Sequence, residues 1–169
     1  EHDYTRMTRL ELAFGGFLDG NGSLRSIKRK MLPCSSKNCY VDQKYYDLVK
    51  RFTFVRSIKN RIFRESKQHT HGFARVYPRL VGDYFGAMYK HFQELSEILP
   101  SGAKCAYVVG DQSSFFGVRI FTARILAKLL TETGLPFKVS RIITLRKRSS
   151  TSRGRIRRIP ERLLQFERI

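Results

Sequence analysis

Residues 104–111 read Lys-Cys-Ala-Tyr-Val-Val-Gly-Asp. A short apolar run that ends in glycine and a carboxylate predicts a buried strand followed by a turn. Residues 79–99 before it and about 118–133 after it carry apolar side chains at three- and four-residue spacing, which predicts two amphipathic helices. A strand between two such helices favours an α/β arrangement.

The C-terminal part of the chain extends this pattern. Residues 137–145 are rich in β-branched and aromatic side chains and predict a second strand, and residues 163–169 predict a last one. Residues 146–159 are rich in Ser and Arg, so we expect a loop there. The resulting order is helix, strand, helix, strand, loop, strand. It predicts an α/β sheet with flanking helices and a C-terminal antiparallel strand pair at the sheet edge.

The N-terminal segment is predicted to be mainly helical. We expect helices over 4–18, over Ser23 to Met31 and from Asp42 to about Phe63, with turns or loops between them and over 65–76. No internal repeat or low-complexity linker divides the chain. We therefore predict a single domain over 1–169, helical over 1–75 and α/β over 76–169.

Composition limits the classes of function. The 169 residues contain 33 Lys and Arg against 14 Asp and Glu, so the formal net charge is +19. A hydrophobic content of 41% argues against general disorder, and no apolar run is long enough for a membrane span. Such an excess of positive charge favours nucleic acid as the partner. Cys34, Cys39 and Cys105 lack the spacing of zinc ligands, so we expect no metal site and reduced thiols in a cytoplasmic protein.

The positive charge is densest near the C-terminus. Residues 141–169 contain ten Lys or Arg against two Asp or Glu. Since Lys and Arg fix proteins on phosphate backbones, we expect this stretch to contact DNA. The predicted contact residues are Arg146, Lys147, Arg148, Ser149, Ser150, Arg153, Arg155, Arg157 and Arg158.

The turn after the predicted 104–110 strand is a candidate site. Ligands of open α/β sheets bind beyond the carboxyl ends of the strands. Gly110 would allow close approach of a ligand to the backbone, Asp111 would present a carboxylate, and Ser113 a hydroxyl. Residue types alone do not distinguish a ligand site here from an ordinary strand-to-helix turn.

A short motif near the N-terminus gives one alternative. Residues 16–23, Gly-Phe-Leu-Asp-Gly-Asn-Gly-Ser, resemble the LAGLIDADG motif of homing endonucleases, in which a helix ends at a metal-binding acid. The position of that acid is Asn21, a poor metal ligand. A nuclease of this type would carry its metal on Asp19 and would need strands soon after Ser23. A third alternative is a basic nucleic-acid-binding module without catalysis.

A longer resemblance covers most of the chain. Residues 83–111 resemble amino-DNA methyltransferases, with a helix that ends in the turn Leu-Pro-Ser-Gly-Ala at 99–103 and a strand that ends in Val-Gly-Asp. Residues 117–130 resemble the next helix of that family, and 145–151 its basic, Ser-rich loop near the target base. Residues 1–12 resemble the segment that follows the family's catalytic Ser/Asp-Pro-Pro-Tyr loop.

The resemblance implies a fold, a reaction and site residues. The fold would be part of a Rossmann-like methyltransferase sheet. The reaction would be methyl transfer from S-adenosylmethionine to an exocyclic amine of adenine or cytosine in double-stranded DNA. Gly110, Asp111 and Ser113 would wall the base pocket, and His2, Asp3 and Tyr4 would lie beside it.

The same resemblance implies a missing half. Neither a Pro-Pro-Tyr loop nor a glycine-rich donor motif occurs in the sequence, which opens Glu-His-Asp without an initiator Met. We therefore expect the C-terminal half of an enzyme, with no catalytic residue of its own and no activity alone. Its upstream half would be its partner and would hold the donor.

Overall fold

The structure is a computed structural model that describes residues 9–18, 21–33, 44–70, 72–112, 115–152 and 155–169. It is a mixed helix and sheet fold. The helices are α1 (Arg9–Phe14), α2 (Asn21–Lys30), α3 (Thr53–Ser66), α4 (Tyr77–Ile98) and α5 (Thr122–Thr131), with a 3₁₀ turn at Tyr45–Leu48. The strands are β1 (Lys104–Gly110), β2 (Phe137–Ser152) and β3 (Arg155–Arg168).

Helix α4 is the centre of the fold. Pro78 lies in its first turn, where the missing amide hydrogen costs nothing, and the helix ends before Pro100. Phe85 and Phe92 are fully buried on its length. The helix packs against α3, α5 and the 3₁₀ turn, so it ties the helical part of the chain to the sheet.

A close backbone contact fixes the 3₁₀ turn on α4. A Cβ added at Gly86 would lie 2.0 Å from the carbonyl oxygen of Tyr45, so only glycine fits there. Three residues earlier, the buried Asp83 carboxylate accepts hydrogen bonds from the Tyr46 amide at 2.9 Å and from the Arg79 guanidinium at 3.2 Å. Asp83 is therefore a structural residue, and its buried charge is paired.

The sheet has three strands in the order β1-β3-β2, and β3 runs antiparallel to both neighbours. Strands β1 and β2 therefore run parallel to each other and are connected through α5. Tyr107 lies opposite Leu164, and Ile142 lies opposite Leu164 on the other side. The predicted C-terminal antiparallel strand pair is present, but its expected place at the sheet edge is wrong, because β3 also pairs with β1 and is the central strand.

One face of the sheet is covered by helices. Leu164 and Phe166 of β3 are almost completely buried, and they share a core with Phe92 of α4 and with Leu126 and Leu129 of α5. Side chains alternate between faces along a strand, so Ala106 and Val108 lie on the other face, where both are exposed. The sheet thus has one packed face and one open face.

Several predicted boundaries are wrong. Residues 146–159 are not a loop, because β2 continues to Ser152 and β3 starts at Arg155, each supplying the other's backbone hydrogen bonds. The helix expected from Asp42 is interrupted, since the 3₁₀ turn precedes α3. Of the helix expected over 4–18, the structure forms α1 over Arg9–Phe14. Residues 4–8 lie outside the described residues.

Candidate ligand cavity and basic surfaces

A cavity of about 390 Å³ lies at the carboxyl end of β1. It is bounded by the first half of α4, by the end of β1 and by the segment that leads into α5. Gly110 lines it, as expected, and Gln112 and Thr122 add polar groups. The remaining lining is mostly apolar and aromatic: Pro33, Tyr77, Leu80, Val81, Tyr84, Phe85, Val108, Val109, Phe115 and Ile120.

A strained turn forms one rim of the cavity. Phe116 has a φ of +56°, a left-handed conformation that a residue with a bulky side chain rarely adopts, and Gly117 follows at +77°. The Phe116 ring stacks on the His69 ring with centroids 4.4 Å apart. Phe115 packs against Tyr77 at 4.9 Å. These ring contacts pack the turn against His69 and Tyr77 beside the cavity.

Asp111 directly follows β1 but is not part of the cavity lining. It is a structural residue. Its side chain is 1% exposed, and its Oδ2 accepts a hydrogen bond from Arg162 Nε at 3.3 Å. Arg162 also donates to the Thr144 hydroxyl at 3.0 Å. Alternation along β1 places Asp111 on the packed face with Tyr107 and Val109. The carboxylate therefore links the three strands where they leave the core.

Two titratable side chains lie under α4. The Tyr107 hydroxyl is 2.6 Å from His91 Nε2. Burial raises the pKa of the Tyr107 hydroxyl, and the nearby Cys105 thiolate raises it further. Burial also raises the pKa of the Cys105 thiol, so this cysteine is a poor nucleophile at neutral pH.

The basic C-terminal stretch lies on the outer part of the β2–β3 hairpin. Arg146 and Lys147 are exposed, and Arg146 forms an ion pair with Glu161 on β3. Arg158 is exposed, and its backbone lies opposite that of Ser149, which is also exposed. The backbones of Arg148, Ser150, Arg155 and Arg157 belong to the same ladder. Arg153 lies outside the described residues.

Strand β1 lies at one edge of the described sheet. Among the described strands β1 pairs with β3 alone, so its other side presents backbone groups without a strand partner. Val108, in the middle of this strand, is 58% exposed and also lines the cavity. Unpaired strand edges are sites at which a further strand can add. The cavity therefore opens beside a sheet edge that has no strand partner among the described residues.

Other predicted site residues fall outside the part of the chain that the structure describes. His2, Asp3, Tyr4, Asp19 and Ser113 belong to this group. Within the described ranges, no cluster of three or more His, Cys, Asp or Glu side chains is arranged to hold a metal ion. Within the same ranges, no helix has both the length and the apolar character of a bilayer-crossing segment.

Sequence reasoning missed the contacts that join distant parts of the chain. The Asp111–Arg162 pair spans 51 residues and the His69–Phe116 stack joins residues from different segments. The period of two along β1 was the available signal for Asp111, because it places this side chain on the face of Tyr107. No local signal identifies the His69 contact.

Three comparisons give no relative that bears on this site. No family model, curated protein or solved structure matches the chain.

Proposed function

We propose that this chain is the C-terminal half of a DNA methyltransferase that transfers a methyl group from S-adenosylmethionine to an exocyclic amine of adenine or cytosine. The observation that carries the proposal is the position of the cavity, at the carboxyl end of β1 and beside the edge of that strand that no other described strand pairs with. Ligands of open α/β sheets bind at this end of the strands.

The lining suits a nucleobase. A volume of about 390 Å³ lies within the range of small-molecule sites. Tyr77, Tyr84 and Phe115 offer aromatic rings against which a flat heterocycle can pack. Gln112 and Thr122 offer hydrogen-bonding groups for its edge, and Gly110 leaves room for close approach. An enzyme that modifies a base amine must take the base out of the duplex into such a pocket.

The sheet suits a larger, Rossmann-like one. Strands β1 and β2 are parallel and connected through α5, as in doubly wound sheets, and β3 lies between them. We propose that a parallel strand of the upstream half pairs with the free edge of β1. A catalytic loop at the carboxyl end of that strand would reach the cavity, and the exposed Val108 would become covered.

The chemistry assigned to this half is positioning. When bound by the upstream half, S-adenosylmethionine supplies an electrophilic methyl group. The amine nitrogen forms a bond to that carbon, the carbon–sulfur bond breaks, and the amine loses a proton. The aromatic lining of the cavity orients the base and removes water from a weak nucleophile. The outer hairpin, with Arg146, Lys147 and Arg158, holds the DNA phosphates.

Methyl transfer by an extended chain tests the proposal. The chain is expressed alone and also extended upstream through its own reading frame, and each product is incubated with duplex DNA and methyl-tritiated donor. We expect N6-methyladenine or N4-methylcytosine from the extended chain and none from residues 1–169 alone. Gly110→Val, which fills the cavity, should abolish the product, and Lys104→Gln, at the other end of β1, should not.

Two results would count against it. One is an extended chain that folds and binds DNA but transfers no methyl group, which favours the non-catalytic module. The other is full activity of residues 1–169 alone. The homing endonuclease alternative needs strands soon after Ser23, whereas residues 21–30 form helix α2. Magnesium-dependent cleavage of DNA that is lost in Asp19→Ala would nevertheless decide for a nuclease.

A further inference from the structure

Two positively charged side chains contact one aromatic ring beside the cavity, that of Phe121. The guanidinium carbons of Arg119 and Arg124 lie 4.8 Å and 5.2 Å from the centroid of the Phe121 ring. Both arginines are exposed and Phe121 is half-buried. A guanidinium that stacks on a ring keeps its N–H edge available for an anion.

The same pattern continues across two elements. Lys128 Nζ lies 5.4 Å from the Phe54 ring centroid. Phe54 stacks on Phe52 with an interplanar angle of 9°, and the Arg51 guanidinium lies 4.9 Å from the Phe52 ring centroid. We call this surface the cation–aromatic strip, and it consists of Arg51, Phe52, Phe54, Arg119, Phe121, Arg124 and Lys128.

The strip is electrostatically unbalanced. Of its four cations, Lys128 alone has an acidic contact in the described part of the chain, with Glu132 at 3.3 Å. Two guanidinium groups on one ring repel each other, and a bound anion would relieve the repulsion. The chain as a whole has 33 Lys and Arg against 14 Asp and Glu, so most of its positive charges have no acidic side chain to neutralise them.

We infer that the strip binds the phosphate backbone of double-stranded DNA next to the cavity. Ile120 and Thr122 line the cavity and alternate along the chain with Arg119 and Phe121 of the strip, so the strip begins at the cavity rim. The rings are partly buried and covered by cations, which favours contact with phosphates over base stacking of a single strand. The choice of DNA rests on the proposed function, but the geometry of the strip does not.

The inference is tested by neutralising the strip in the full chain. Binding of a mixed-sequence duplex is measured by fluorescence anisotropy over a range of salt for the wild type and for Arg119→Gln/Arg124→Gln/Lys128→Gln. The slope of log K against log salt is negative, and each lost phosphate contact makes it shallower by about 0.9. We therefore expect the slope of the triple variant to be shallower by about 2 to 3. Affinity at low salt should drop by about tenfold or more.

The control removes the same charge elsewhere. Lys90→Gln/Lys104→Gln/Lys138→Gln neutralises three exposed lysines, two of which begin β1 and β2 at the end of the sheet away from the cavity. Both triple variants carry +16 in place of +19. The control should keep the wild-type slope. Phe121→Leu keeps every charge and removes the ring, so it should weaken binding about threefold without changing the slope.

Several outcomes overturn the inference. Equal losses in the two triple variants would mean that net charge alone acts, and no binding of duplex by the wild type would remove the basis altogether. Loss of binding to vesicles rich in phosphatidylserine with unchanged DNA binding would assign the strip to a lipid surface. A strip variant that loses DNA binding supports the inference even if the extended chain transfers no methyl group, so the two proposals fail separately.

Discussion

The β2–β3 hairpin has an inner half, residues 137–144 and 162–168, and an outer half, residues 145–152 and 155–161. Both halves are built from the same pair of strands, but different interactions hold them. In the inner half, Leu164 and Phe166 are buried under α4 and α5. In the outer half, Leu145, Arg146 and Lys147 are exposed, and the described contacts are strand pairing and the Arg146–Glu161 ion pair. The Asp111–Arg162 pair lies where the two halves meet.

This difference separates stability from binding. Burial of apolar area contributes most of the folding free energy, so stability should depend on the inner half. An exposed ion pair contributes at most about 1 kcal/mol, so the outer half adds little. Its charges remain available to a polyanion. We therefore expect substitutions in the inner half to change unfolding and substitutions in the outer half to change DNA binding.

The largest expected effect is in the inner half. Phe166→Ala removes a buried ring that packs against Phe92, Tyr107 and Phe137, with centroids 5.3 to 5.8 Å away. We expect the free energy of unfolding in urea to fall by about 3 to 5 kcal/mol. Leu145→Ala in the exposed outer half is the matched control and should cost less than about 1 kcal/mol. Equal costs would mean that the two halves are not distinct.

The next effect is on binding by the outer half. Arg146→Gln/Lys147→Gln removes two exposed charges. The slope of log K against log salt for duplex DNA should become shallower by about 1 to 2. The free energy of unfolding should change by less than about 1 kcal/mol. Lys104→Gln/Lys138→Gln, at the inner end, should leave the slope unchanged. Equal changes of slope in the two double variants would mean that the two halves do not differ in DNA binding.

The smallest effect concerns a polar contact beside the inner half, between Tyr107 of β1 and His91 of α4. Tyr107→Phe removes the hydrogen bond with His91 and should cost about 1 kcal/mol at neutral pH. Because folding raises the pKa of the Tyr107 hydroxyl, its contribution is complete below about pH 10 and decreases as the pH rises through the folded pKa. Unfolding measured from pH 8 to pH 11 should show this alkaline loss in the wild type and a smaller one in the variant. A loss of equal size in both would assign the alkaline loss to other groups.

Helix α4 and strand β1 were predictable because their signals are local. Helix α4 and strand β1 lie within one or two residues of the expected 79–99 and 104–110, since their apolar spacing is strong. The outer hairpin was missed because Ser149 to Ser152 and their partners have no apolar alternation. Those residues are strands because the antiparallel ladder continues from the core and satisfies their backbone groups.

The site was predictable only in part. Gly110 lines the cavity as expected, because the end of a strand is a general feature of α/β sheets. The cation–aromatic strip was not predicted, since it combines residues near 52 with residues near 121, which are far apart in the sequence. Neither segment contains a pattern that identifies the other.

Site-specific cross-linking tests most directly whether the cavity mouth faces DNA. A benzophenone side chain replaces Gln112 at the cavity or Lys104 at the start of β1, which lies about 20 Å from the carboxyl end of that strand. Each variant is irradiated in complex with a mixed-sequence duplex. We predict a cross-link to DNA from position 112 and background signal from position 104. Cross-linking from 104 with none from 112 would contradict the account, because DNA would then lie at the wrong end of the sheet.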